Sequence, residues 1–182
     1  MIITISGFPG SGKSTVGEML AEKLGYNFLS MGDLRGKIAI KHNLTIDQLN
    51  KIGESEDWTD KEADKELIRI GKQEDDYVID TRLGFHFIPD SVKIFLGVDL
   101  ETGAERIFNG PRRPDEKKYS SVGALKGELK QRIKSDKKRY KKWYGVDFTN
   151  KSNYDLIIDT TELTPEKVVE KILKHIQHKH NI

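Results

Sequence analysis

The 182 residues include no cysteine, which excludes disulfides and thiolate metal centres and leads us to expect a reducing, cytoplasmic setting. No apolar run approaches the length of a membrane span, so no membrane partner is expected. Nor does the first apolar segment read as a signal peptide, because it is a strand running straight into a glycine-rich turn. The formal net charge is only +2, which gives no general pull toward nucleic acid or an anionic surface. Internal repeats and long linkers are both missing, and arginine is scarce beside lysine, which makes each arginine worth following. Although 33% of the residues are charged, apolar runs recur at regular intervals. One folded domain with a full core is therefore expected rather than a disordered chain.

The most informative stretch is Gly7-Phe8-Pro9-Gly10-Ser11-Gly12-Lys13-Ser14, a G-x-x-x-x-G-K-S pattern close to the first residue. Before it, Ile2-Ile3-Thr4-Ile5-Ser6 is apolar and β-branched, as a buried strand requires. After it, Val16, Met19, Leu20 and Leu24 recur at helical spacing. Strand, glycine-rich turn and helix together form an anion cradle. Backbone N–H groups line it, glycines let it approach a phosphate, and the helix that follows adds its free N–H groups and positive dipole end. Residues Gly7 to Thr15 are thus the expected triphosphate-binding residues. Within them Lys13 is placed to reach the β- and γ-phosphates and the Ser14 hydroxyl to ligate Mg²⁺.

Along the rest of the chain, strands are predicted at 26–30, 77–80, 92–98 and 154–159. Helices are predicted at about 101–108 and 122–144, and from Pro165 onward. Residues 31–72 read as a helical insertion, with capping-box patterns at Thr45-Ile46-Asp47-Gln48 and Thr59-Asp60-Lys61-Glu62. Alternating strands and helices predict an α/β fold of three layers, a five-stranded parallel sheet with helices on both faces. The expected division is a core of 1–30, 73–108 and 145–182, the insertion 31–72 and a lid at 109–121, where Gly110, Pro111 and Pro114 forbid regular structure. Ligands of such sheets bind beyond the carboxyl ends of the strands, where Gly7, Ser30, Asp80 and Arg82 fall.

On a wheel of 100° per residue, the long helix places Leu125, Leu129, Ile133, Tyr140 and Trp143 in one arc and its lysines outside it. The lysines read as a solvated face, and no nucleic-acid partner is expected. Arg132, Asp136 and Arg139 fall within the apolar arc or at its edge. An unpaired buried charge is costly, so these three form either a structural ion-pair network or the wall of a cleft that holds an anion. The phosphate loop favours the cleft, with Arg132 and Arg139 on a transferring phosphoryl group.

Several of these features occur together in a known family. The N-terminal phosphate loop, Ser30 with Arg35, Asp80-Thr81-Arg82, and the tract from Glu128 to Asp147 resemble the cytidylate (CMP/dCMP) kinases of the compact archaeal type. The resemblance covers nearly the whole chain, and the 128–147 tract is its most specific part. It implies transfer of the γ-phosphoryl of ATP to CMP or dCMP, both small molecules, with Mg²⁺ as cofactor; a monomer is expected. It also implies that Arg35 and Arg82 grip the acceptor phosphate, that Ser30 lies near the acceptor's nucleoside, and that Arg106 belongs to a lid over ATP. Arg132, Asp136 and Arg139 would enter from the lid side. Asp80 would either hold a Mg²⁺-bound water or serve as a buried structural carboxylate. The chain departs from the family pattern after Arg106, where Asn109-Gly110-Pro111-Arg112-Arg113-Pro114 leaves Arg112 or Arg113 to supply a lid charge.

Cytosine needs an acceptor for its exocyclic amino group. Asp60 and Asp64, four residues apart on one helix face, offer one, although the helix dipole accounts equally well for a carboxylate at Asp60. Two rival readings share the loop: another small-acceptor kinase (of the shikimate, gluconate or dephospho-coenzyme A type), and a non-catalytic ATP-binding regulator.

Overall fold

A computed structural model describes residues 1–111 and 118–180 of the chain. Its strands are β1 (Ile2–Gly7), β2 (Asn27–Ser30), β3 (Tyr77–Asp80), β4 (Val92–Gly97) and β5 (Leu156–Asp159). They form one sheet in the order β2-β3-β1-β4-β5, and every adjacent pair is parallel. The helices are α1 (Lys13–Leu24), α2 (Met31–Lys41), α3 (Ile46–Gly53), α4 (Trp58–Gln73), α5 (Gly84–Phe87), α6 (Leu100–Asn109), α7 (Val122–Tyr144) and α8 (Pro165–His180).

Alternation along β1 sorts the two faces. Ile3 and Ile5 point to one side, where Val16 and Leu20 of α1 and Val168, Val169 and Ile172 of α8 cover them. Thr4 points to the other side and meets Ser91 at 3.0 Å. There Ile79 packs with α2, α3 and α4, while Phe95 packs with Leu83, Tyr140 and Phe148. Each such aliphatic side chain stabilises the fold by about 1.5–3 kcal/mol, so the sheet is held by burial on both faces. The chain passes from β1 out to β2 and back through β3 before it crosses to β4. The crevice beside β1 at the carboxyl ends is therefore the topological switch point.

The structure adds detail to the element boundaries. The Thr45 box forms in both directions, Gln48 N donating to Thr45 Oγ1 and Thr45 N to Gln48 Oε1. The box expected at Thr59 does not form: α4 begins earlier, at Trp58, and Thr59 is fully buried inside its first turn. Asp60, which the box pattern would have left at a helix entrance, is instead drawn into an ion-pair cluster. The short helix α5 was not predicted. It lies where Gly84 presses on Thr4, and a Cβ there would come within 2.4 Å of the Thr4 Cβ. Among the described residues no helix is long and apolar enough to cross a membrane.

Candidate active site

The phosphate loop leaves β1 and is fixed from both ends. Phe8 N donates to Leu96 O of β4 at 3.2 Å, and the Phe8 ring sits edge-on to Phe95 with centroids 5.3 Å apart. Gly10 has φ +77° and lies against α6, where a Cβ would meet Gly103 O at 2.3 Å. Gly12, at φ 84°, is the left-handed residue that turns the loop into α1. Ser11 N donates to Phe8 O at 3.2 Å, which curls the loop. Ser11 Oγ is buried without a hydrogen-bond partner among the described residues.

Lys13 bends back over this loop, its Nζ donating to Phe8 O at 2.8 Å. Burial, aided by Arg82 and Arg132 and opposed by Asp80, brings its ammonium down to about 8. Ser14 Oγ donates to Asp80 Oδ2 at 2.7 Å, which joins the start of α1 to the end of β3. These two hard oxygen donors suit Mg²⁺, which keeps most of its shell for water and phosphate oxygens. Among the described residues no group of three histidine, cysteine or carboxylate side chains is set to hold a metal. The Ser14–Asp80 pair fits an ion carried in on a nucleotide.

Above the loop opens a cleft of about 570 Å³. Its floor is residues 9–16, and its far wall carries Arg35, Asp60 and Asp64 from α2 and α4. Arg82 follows β3, and Arg132, Asp136 and Arg139 come in from α7. The inward stripe of α7 thus lines a cleft and forms an ion-pair network at once. Arg139, only 1% exposed, places Nη1 2.5 Å from both Asp60 oxygens and bonds Asp136 through Nη2. Arg35 joins the same Asp60 through Nη1, which also donates to Thr59 O at 3.0 Å, and its Nη2 donates to Asn50 Oδ1 at 2.9 Å. Arg82 Nε lies 3.0 Å from Asp136 Oδ2, off the line of a hydrogen bond. Burial pushes the Asp136 carboxyl up, but Arg82, Arg139 and Arg132 outweigh it and hold the group below the usual carboxylate range.

The remaining expected residues lie as follows. Ser30 spends its hydroxyl as the N-cap of α2, accepting from Asp33 N at 3.1 Å, and does not line the cleft. Gly7 and Phe8 stand behind the lining. Arg106 lines the cleft while donating to Thr160 O at 2.8 Å, Thr161 O at 3.0 Å and Thr160 Oγ1 at 3.2 Å. It thereby ties α6 to the loop after β5. Thr15, in the first turn of α1, lies on the cleft floor. Arg112, Arg113 and the rest of 112–117 within the expected lid lie outside the described residues. Sequence reasoning missed Asn50, which carried no motif, and Thr160. It also gave no task to Tyr144, whose Oη donates to Asp64 Oδ2.

The lysine face of α7 meets acids: Lys138 reaches Glu54 at 2.7 Å, Lys137 reaches Asp147 at 3.0 Å, and Lys126 pairs with Glu101.

Among solved structures, shikimate kinase from Bacteroides thetaiotaomicron superposes with a TM-score of 0.66 at 18% identity, covering 100% of this chain and 99% of that one. A gluconokinase from Sinorhizobium meliloti gives 0.55 at 18%, covering 98% and 93%. At these identities the likeness shows the fold alone. In sequence, the cytidylate kinase of Natronomonas pharaonis is 39% identical over 92% of this chain and 85% of its own length. That of Methanobrevibacter smithii is 32% identical over 95% and 96%. An S-adenosylmethionine-dependent nucleotide dehydratase from Lacinutrix mariniflava is 39% identical over 96% of this chain, which spans only 36% of that protein. The model of the cytidylate kinase-like family matches residues 2–162, and the chain belongs to that family.

Proposed function

We propose that this protein transfers the γ-phosphoryl group of ATP to CMP or dCMP, giving ADP and the cytidine diphosphate. The observation that carries this reading is the single cleft in which the phosphate loop faces Arg35, Arg82 and Arg132, two anion-binding walls across one space. A sensor of ATP needs only the first wall. A shikimate- or gluconate-type acceptor carries a carboxylate that an arginine wall would also suit, so the choice of a cytidylate acceptor rests on the relatives that carry the cytidylate kinase name and cover most of their length.

The chemistry is in-line displacement. An acceptor phosphate oxygen forms a bond to the γ-phosphorus as the bond to the bridging oxygen of ADP breaks, and no covalent enzyme intermediate is needed. The protein positions both groups and neutralises charge. Lys13 would follow the β- and γ-phosphates, exchanging Phe8 O for phosphate oxygens. Arg35 and Arg82 would hold the acceptor phosphate, and Arg132 the moving group. Arg139 and Asp136 act beside them, each binding a partner that also lines the cleft. Ser14 and Asp80 would hold Mg²⁺, which would supply charge neutralisation on the triphosphate. Arg106 and Thr160 bound the side where the ATP base would lie. The protein is proposed to work as a monomer, and its lack of cysteine supports a cytoplasmic setting.

A coupled ADP-release assay across CMP, dCMP, UMP, AMP, shikimate and gluconate tests this reading. Turnover with CMP or dCMP above all others supports it. ATP consumption that no acceptor stimulates overturns it.

A further inference from the structure

The α4 carboxylates are not equivalent. Asp60 has both oxygens taken by Arg139 and one of them shared with Arg35. Asp64, one turn along the same face, gives Oδ2 to Tyr144, and Oδ1 meets no donor among the described residues. It is 8% exposed and lines the cleft.

Tyr144 is held firmly. It is the last residue of α7, and Gly145 closes the helix in the left-handed region, its N–H bonding Lys141 O at 3.1 Å. Its ring lies edge-on to Phe87 at 5.4 Å between centroids, with His86 at 5.8 Å and Tyr140 at 6.3 Å. A phenol fixed on three sides leaves its hydroxyl one direction, toward Asp64.

We infer that Tyr144 and Asp64 read the acceptor's base. Asp64 is the contact and Tyr144 the positioning residue, so the site takes a ring bearing an exocyclic amino group and refuses its keto counterpart. This rests on the function proposed above. An ionised carboxylate only accepts hydrogen bonds. With Oδ2 filled by the phenol, Oδ1 is left for an N–H of the amino group. A keto oxygen in the same place brings lone pairs to lone pairs and leaves both unsatisfied, which is how a hydrogen-bonding site rejects an analogue.

The charged and titratable groups facing Asp64 are Asp60 of its own helix, Arg35 from α2, and Arg139 and Tyr144 from α7, with His86 of α5 behind the phenol. Burial pushes the Asp64 carboxyl up to about 6, against the Tyr144 hydrogen bond. Above that pH it is an acceptor. Below it the acid can donate to a keto oxygen, so discrimination weakens.

The test is kcat/KM for CMP and for UMP at saturating ATP, in the unmodified protein, Asp64→Asn and Tyr144→Phe, on either side of about pH 6. The ratio of the two acceptors cancels the titration of their shared phosphate. The expected results are a CMP preference that shrinks as pH falls through about 6. Tyr144→Phe should lower the ratio about tenfold with the ATP KM unchanged, and Asp64→Asn should abolish or invert it. A ratio unmoved by both variants overturns the inference, as does an equal loss on both acceptors, which marks a purely structural tyrosine. If the unmodified protein turns over no monophosphate, the kinase reading fails separately. Calorimetric CMP and UMP binding to the same three proteins then decides the inference by the same ratio.

Discussion

Arg139 Nη1 lies 2.5 Å from both carboxylate oxygens of Asp60, which joins the long helix α7 to the first turn of α4 at the wall of the cleft. Both residues are nearly solvent-free, Arg139 at 1% and Asp60 at 2% exposure. The pair sits where the acceptor would enter, and Arg35 shares it.

Removing one member of such a pair leaves a buried charge behind. Asp60→Asn should lower the unfolding free energy by about 3–5 kcal/mol, read from the urea midpoint. Asn50→Ala, which leaves the Arg35 Nη2 donor without its partner, should cost less, about 1–3 kcal/mol, and raise the acceptor KM while sparing the ATP KM.

Lys13 makes ATP binding pH-dependent. Its ammonium in the folded protein titrates at about 8, below its ordinary 10.5, so the unliganded site loses its lysine charge as pH rises through 8. ATP affinity measured by calorimetry should fall over that interval, and Lys13→Met should remove the dependence. The sign for stability is opposite. The folded state binds this proton less well than the unfolded chain, so the lysine's penalty is full below about 8 and disappears between about 8 and 10.5.

Asp80 holds the Ser14 hydroxyl at 2.7 Å. Asp80→Asn should raise the Mg²⁺ concentration for half-maximal turnover about 10- to 100-fold, with metal-free ATP binding little changed. A metal titration of the steady-state rate checks this.

How much of this was legible beforehand follows from what each signal depends on. β1 and its loop were readable because β-branched residues, glycines and Lys13 act within a dozen positions of one another. The inward charges of α7 were readable from helix periodicity, which also raised the two alternatives of cleft and network. Periodicity cannot show that both hold, because the partners of Arg139 and Arg35 include Asp60, which only the tertiary fold brings to them. The same limit hid the pairing of Tyr144 with Asp64. Thr59 misled for a related reason: its capping pattern was sound locally, but burial of the first turn of α4 carried more free energy than a cap. Arg106 was placed on the ATP side by resemblance. Its bonds to Thr160 and Thr161 depend on β5 lying beside β4, which no local pattern states.

Gly10 and Gly103 lie backbone to backbone. A methyl group on the first would come 2.3 Å from Gly103 O, and one on the second 2.9 Å from Pro9 O. Nothing compressible separates the turn that embraces the triphosphate from the rod that stands behind it, so even alanine at either place would pry the embrace open instead of filling a gap. The protein is least forgiving where it carries no functional group at all.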